Sequence, residues 1–338
     1  MQTEILKLTD SNRKEVLEKA SLIIKNGGLV VFPTETVYGL GASVYNEEAI
    51  KKIFKAKGRP SDNPIIVHIA KEEQLQELTD DVSPIQQKLM DSFWPGPLTI
   101  IFKKKQNISS IVSGGLSSIA IRMPSHSFAR ELIARAGVPI AAPSANISGR
   151  PSGTKGVHLF EDLMEKVDMI IDAGLSQIGI ESTVVRVEGD SVFILRPGAV
   201  TEEMLKKVVV PARVIFTEKK NMLNSSPGTR YKHYAPCARL ILEVASKILE
   251  RATSLQKEGL AVGIISTNQN KDFFKIYEPN VFSLGDENNL EEISQSLYQA
   301  LRFFDTHHVD VIVCQSFPEQ GLGRAIMDRL IRASGGEI

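Results

Sequence analysis

Cysteine is nearly absent from this 338-residue chain, since Cys237 and Cys314 are the only two and lie far apart. Two cannot build a disulfide framework, and no C-x-x-C pair offers half of a zinc site. No run approaches the ~18 apolar residues of a membrane span. The opening MQTEILKLTD carries acids where a secretory signal would have an apolar core. An excess of one charge is missing too: Lys plus Arg and Asp plus Glu both count 40. Gross charge therefore gives no support to a general nucleic-acid binder. The chain also lacks a G-x-x-x-x-G-K-[ST] phosphate loop, a G-x-S-x-G elbow and an H-E-x-x-H helix. His307 and His308 are adjacent and cannot share a helical face, and His233 with Cys237 makes only half a metal site. These absences exclude a serine elbow and an all-protein metal cage. They leave a cytoplasmic protein, free of membrane contact, whose site positions anions with cations and hydroxyls.

What is present is a hydrophobic fraction of 42%, enough for real cores, in a chain long enough for two domains. The first half alternates helices and strands. Asp10 or Ser11 is placed to cap a helix that Gly27-Gly28 ends. LVVFPT follows as a buried strand. Asn46 then caps a second helix with Ile50, Ile53 and Phe54 inward, and Gly58 terminates it. IIVHI, LTIIF, IAIRM, VPIAA and MIID are short β-rich runs. STVVRV and SVFILR flank Glu188-Gly189-Asp190 and predict a hairpin. With Val187 facing Ser191, Ser182 falls opposite Arg196. Periodicity fades from Pro211 to Pro236, around SPGTRYKHYAP, and the alternation then resumes. The expected organisation is an α/β catalytic domain over 1–211, a linker over 212–238 and a smaller α/β domain over 239–338.

Four stretches could carry chemistry. In KAKGRPSDNPIIVH, Lys55 and Lys57 end a helix, where a solvated basic end and an anion site are equally good readings. Arg59, set between Gly58 and Pro60, is harder to dismiss, because its fork suits phosphate or carboxylate. His68 lies on the strand face opposite Val67 and Ile69, where a lone histidine is more often structural than catalytic. FPTETVYGLGA ends a buried strand in a turn where Thr34 and Thr36 point one way and Glu35 the other, as a ligand site or as helix-capping hydroxyls. IAIRMP puts Arg122 on a face with Ala120. A buried arginine there needs an anionic partner, from the protein or from a ligand. PIAAPSANISGRPSGTKG runs from a strand into amides and hydroxyls dense enough for phosphate or ribose; a flexible polar loop would explain its glycines but less readily Pro-Ser-Ala-Asn directly off a strand.

Together with WPGPLT, ESTVV and ILRPG, these phrases resemble the threonylcarbamoyl-AMP synthases in their two-domain form, over roughly residues 10–205. SPGTRYKHYAP resembles the long form's linker, departing at Thr229, where the family more often has methionine. The resemblance implies a YrdC-like domain with a twisted mixed sheet, followed by a Rossmann-like α/β/α accessory domain. It also implies an enzyme that joins L-threonine, bicarbonate and ATP, releases pyrophosphate and serves a threonylcarbamoyl modification of tRNA, through a tRNA threonylcarbamoyl transferase. By that resemblance Lys57, Arg59, Asn63, Ser118, Ser144, Asn146, Ser152 and Arg196 hold the nucleotide, with Tyr231 and His233 from the linker. Lys57 and Arg59 supply catalytic charge, and Mg²⁺ accompanies ATP. Thr36, His68, Arg122, Ala142 and Ser182 form the threonine end. Arg230, Tyr231, Lys232 and His233 are expected to fold over the site as a lid. Two rivals keep the fold and change the reaction. One is a double-stranded RNA-binding surface built on clusters such as Lys51-Lys52 and Lys103–Lys105, of which a weak RNA contact would be the remnant. The other is a maturation enzyme handling carbamoyl phosphate, against which the missing cysteine-rich zinc modules count.

Overall fold

The computed structural model describes residues 2–217 and 233–336, which pack as two units. The first holds residues 2–148, 153–177 and 181–217. Its strands are β1 (Glu4–Lys7), β2 (Val30–Phe32), β3 (Gly39–Ser43), β4 (Val67–His68), β5 (Leu98–Lys103), β6 (Ser118–Arg122), β7 (Ile140–Ala141), β8 (Met169–Asp172), β9 (Thr183–Glu188), β10 (Ser191–Arg196) and β11 (Arg213–Phe216). They form one mixed sheet in the order β1-β8-β2-β3-β7-β4-β6-β5-β9-β10-β11. The helices are α1 (Arg13–Lys25), α2 (Glu47–Lys57), α3 (Pro84–Phe93), α4 (Ser127–Ala136), α5 (Gly156–Leu163) and α6 (Glu202–Val209).

Local chemistry explains the best-defined ends. Asn46 caps α2 by accepting from the Ala49 N–H, and Gly58 closes it in the left-handed conformation at φ 60°. At α1 the expected cap moves. Asn12 takes the N-cap position without a capping bond, because its Oδ1 already accepts from the Thr9 N–H at 2.9 Å. A tight β2–β3 pair needs glycine at position 41, where an added Cβ would lie 2.7 Å from the Phe32 ring and 2.8 Å from Ile140.

The hairpin register differs from the expected one. Glu188 faces Ser191 and Val187 faces Val192, so the turn is the two residues Gly189-Asp190. Glycine supplies the φ of 53° that such a turn requires. A bulge between Ile194 and Arg196 then brings Arg196 opposite Val184 rather than Ser182. Strand β11 pairs in parallel with β10 and occupies the start of the stretch read as linker. Arg230, Tyr231 and Lys232, with the lid expected of them, lie outside the described residues.

The second unit holds residues 149–152, 178–180 and 233–336. Its sheet is all parallel, in the order β12 (Arg239–Glu243), β15 (Val311–Gln315), β13 (Val262–Ser266), β14 (Val281–Ser283). Helix α7 (Ile248–Lys257) covers one face with Ile248, Ala252 and Leu255 against Ile264 and Val313. Helices α8 (Leu290–Phe303) and α9 (Leu322–Ala333) pack on each other and on β14 and β12. Both faces of a parallel sheet are thereby buried, as its near-continuous apolar strands demand. The chain is an α/β protein of two units, the first built on a large mixed sheet and the second Rossmann-like. No helix among the described residues is long and apolar enough to cross a membrane.

Candidate active site

One face of the large sheet changes character along its middle strands. Register aligns His68 on β4 with Arg122 on β6, Thr99 on β5 and Val184 on β9. Residues two apart point the same way, so Ile66, Ile101 and Ala120 share that face with the polar row. They form a small apolar cluster with Val184 and Leu195, separate from the main core beneath the other face. Ser118 lies at the far end of the same line, two residues beyond Ala120. A polar row beside an apolar patch suits a ligand with one charged end and one flat end.

Arg122 is 3% exposed and meets protein acceptors on three nitrogens. Its Nε donates to Gly96 O at 3.2 Å and its Nη1 to Thr36 Oγ1 at 2.8 Å. Glu35 Oε1 stands 2.6 Å from Nη2, an ion pair by distance but without the angle of a directed hydrogen bond. The anionic partner that Arg122 required is thus Glu35. Residues 33–38 curl rather than extend, with Thr34 and Thr36 hydroxyls 2.9 Å apart. That curl lets Glu35 and Thr36 reach the same guanidinium, although strand alternation would have separated them. Burial alone would raise the Glu35 pKa. The Arg122 charge and the Ser125 N–H, 3.0 Å from Oε1, outweigh it and hold the carboxyl below its ordinary value. Burial and the nearby Arg122 push His68 the other way, down to about 3, so it is neutral.

Ser182 extends the row. Its hydroxyl lies 2.8 Å from Thr99 Oγ1, and Arg196 donates to Ser182 O at 3.0 and 3.1 Å and to its Oγ at 3.1 Å. The Ser182–Arg196 contact therefore forms by side-chain reach across the bulge, not by direct strand pairing.

A second group gathers around the Pro143–Asn146 segment, which runs beside residues 38–40. Leu40 N–H donates to Pro143 O, Ala145 N–H to Tyr38 O, and Ser144 bridges Gly39. Lys57, the last residue of α2, is 1% exposed. Its ammonium donates to Ser144 O at 2.5 Å and to Asn146 O, with Asn146 Oδ1 at 3.5 Å. Ser144 Oγ donates to the same Oδ1 at 2.6 Å. Arg59 folds over the turn that follows, reaching Pro64 O at 2.9 Å and Asn63 O at 3.4 Å. Asn63 is fully buried there. Ala142, just past β7, donates its N–H to Ile66 O, at the edge of the apolar patch.

Comparison with known proteins decides the family. A family model described as "Telomere recombination" matches residues 22–198, and one described as "Threonylcarbamoyl-AMP synthase, C-terminal domain" matches 200–335. Threonylcarbamoyl-AMP synthase of Bacillus subtilis is 44% identical, covering 97% of this chain and 95% of that one. Its namesake from Pyrococcus abyssi is 43% identical, over 94% of each. The solved structure of P. abyssi Sua5 complexed with L-threonine superposes with a TM-score of 0.91 at 41% identity, covering 100% of this chain and 99% of that one. The chain belongs to the threonylcarbamoyl-AMP synthase family.

As a member of that family it is an enzyme, a nucleotidyltransferase. Within its first unit the fold brings together Thr36, His68, Arg122, Ser182 and Arg196, and separately Lys57, Ser144 and Asn146 with Arg59 and Asn63 close by in sequence. Ser152 and His233 are buried in the second unit. Tyr231 lies outside the described residues. Sequence reasoning left Glu35 without a role and did not notice Thr99. A signal for Glu35 was present, since it and Arg122 are opposite charges set in otherwise apolar stretches.

Proposed function

We propose that this synthase condenses L-threonine, bicarbonate and ATP into threonylcarbamoyl-AMP and pyrophosphate, in the cytoplasm, for modification of tRNA beside the anticodon. The carrying observation is the polar row His68–Arg122–Thr99 with Ser182, set beside the apolar patch of Ile66, Ile101 and Ala120. The threonine complex of the P. abyssi relative supports L-threonine as the amino-acid substrate, and the polar row is the part of this sheet whose chemistry suits it. Arg122 offers unused N–H groups to a carboxylate, and Ser182 and the neutral His68 offer hydrogen bonds to the hydroxyl.

Threonine's amine, once deprotonated, condenses with bicarbonate to a carbamate with loss of water, and the carbamate attacks the α-phosphate of ATP as pyrophosphate leaves. Both partners are anions, so cationic groups must offset their repulsion before they meet. Arg59 and Arg196 serve there. Lys57 holds the Ser144–Asn146 segment in place, and in this reading Ser144, Asn146, Asn63 and Ser118 contact the nucleotide. Among the described residues no three His, Cys, Asp or Glu cluster as metal ligands. The hydroxyls, amides and cations present fit a Mg²⁺ carried by phosphate oxygens, where it would neutralise developing charge. Catalysis belongs to residues 1–211 in this reading, and the product passes to a tRNA threonylcarbamoyl transferase.

Pyrophosphate release from ATP, with and without L-threonine and bicarbonate, tests the reaction, and mass spectrometry identifies the nucleotide formed. Release that depends on both, with a threonylcarbamoyl-adenylate peak, is expected. ATP turnover indifferent to threonine would refute the substrate assignment. No turnover with salt-sensitive RNA binding would favour the RNA-binding reading instead. Arg59→Ala should weaken ATP use and Ser182→Ala should mainly raise the threonine requirement. Equal effects on both substrates would refute the division of the site.

A further inference from the structure

The Glu35–Arg122 pair is built unlike a purely structural ion pair. Burying two charges is favourable only when their remaining donors and acceptors are matched. Here they are not. Glu35 Oε2 is buried without a hydrogen bond, and Arg122 Nη2, also buried, has only its ion-pair contact to Oε1 and no directed hydrogen bond. One is an acceptor and the other a donor, on side chains whose charged ends stand 2.6 Å apart. The groups facing them add no compensating charge. His68, paired in register with Arg122, is neutral. Burial also holds down the pKa of His126, against the raising influence of Glu35, while Arg13 adds to the lowering.

We propose that Glu35 and Arg122 together read the amino-acid substrate as a zwitterion. Arg122 takes the carboxylate and Glu35 takes the amine, which makes Glu35 a specificity-determining residue. The inference rests on the threonine reading of this site. Three features argue for it. The charges of the pair cancel, so a bare anion gains little on approaching Arg122, whereas a zwitterion meets an opposite charge at each end. The unmatched acceptor and donor are the two that an ammonium and a carboxylate satisfy. A ligand without the amine leaves Oε2 buried and unpaired, the situation that lets a polar site reject an analogue strongly. Glu35 is also fixed independently of any ligand, because its Oε1 accepts from Ser125 N–H at 3.0 Å.

The test is calorimetric binding to the full chain of L-threonine and of 3-hydroxybutyrate, which is threonine without its amine. The wild-type protein should prefer threonine by about a hundredfold or more. Glu35→Gln removes the negative charge while Thr36 Oγ1 and Gly96 O still hold Arg122. Its preference should shrink at least tenfold, with 3-hydroxybutyrate bound as well as before or better. Glu35→Asp keeps the charge and should keep most of the preference. An unchanged preference in Glu35→Gln would overturn the proposal. So would an equal loss of both ligands with ATP binding intact, which is what a residue that merely props Arg122 would show. Should Glu35→Gln fail to fold, wild-type protein that binds both ligands alike overturns it without any variant. Wild-type protein blind to threonine would fail earlier, overturning the functional reading itself.

Discussion

Replacing Lys57 by methionine separates two roles that a buried lysine near a nucleotide can have. Its ammonium donates to Ser144 O at 2.5 Å and to Asn146 O, and its third donor faces Asn146 Oδ1 at 3.5 Å. The ammonium therefore grips the segment through two of its carbonyls. Methionine fills nearly the same volume but leaves these carbonyls without their donor. A hydrogen bond to a charged group contributes about 1.5–3 kcal/mol, and a carbonyl left buried and unpaired costs about 1–3 kcal/mol. Relief of the ammonium's own desolvation offsets part of this. A net loss of about 3 kcal/mol follows, which for a unit of this size lowers Tm by roughly 6–12 °C. Thermal unfolding gives that number, and pyrophosphate release at varied ATP shows whether nucleotide use falls with it. A variant within a degree of wild type in Tm but unable to use ATP would refute the reasoning. Lys57 would then act on phosphate directly and not through the Ser144–Asn146 segment.

The same packing sets two other outcomes. His68 stays neutral down to about 3 in the folded protein, whereas an unfolded histidine protonates near 6.5. The unfolded state thus binds the extra proton, and stability falls as pH drops from 6.5 toward 3, by up to about 1.4 kcal/mol per pH unit. His68→Gln should flatten that acid limb in denaturant titrations across pH, and an NMR titration that finds His68 protonating near 6.5 would contradict the burial argument. At Gly198 an added Cβ would sit 2.4 Å from Thr183 N and 2.7 Å from Glu181 O, both backbone atoms that cannot rotate away. Gly198→Ala should cost about 1–3 kcal/mol, read from the denaturant midpoint. It should also raise the threonine requirement by displacing Ser182. An unaltered threonine requirement in a destabilised variant would show that the strain does not reach the site.

Sequence by itself determined what depends on near neighbours. The cap at Asn46 and the stop at Gly58 bound α2 as read, because capping and left-handed glycine are decided within a few residues. The strand faces of IAIRMP and IIVHI follow from alternation, whereas the placing of His68 beside Arg122 comes from the pairing of β4 with β6. The ordered motifs also carried the family resemblance and the two-unit α/β architecture. Tertiary structure alone decided what depends on distant neighbours. The bulge at Ile194–Arg196 is set where β10 lies between β9 and β11, and no count along the chain reveals it. Arg122 had an open choice between a protein and a ligand partner until the curl at residues 33–38 delivered Glu35 from 87 positions away. Lys57 could be read as a free cation until the Pro143–Asn146 segment was seen to present its carbonyls to it. The physical reason is common to all three. Short-range sterics and hydrogen bonds set the element, but the energy of a buried charge is set by whichever groups the sheet order brings within about 3 Å.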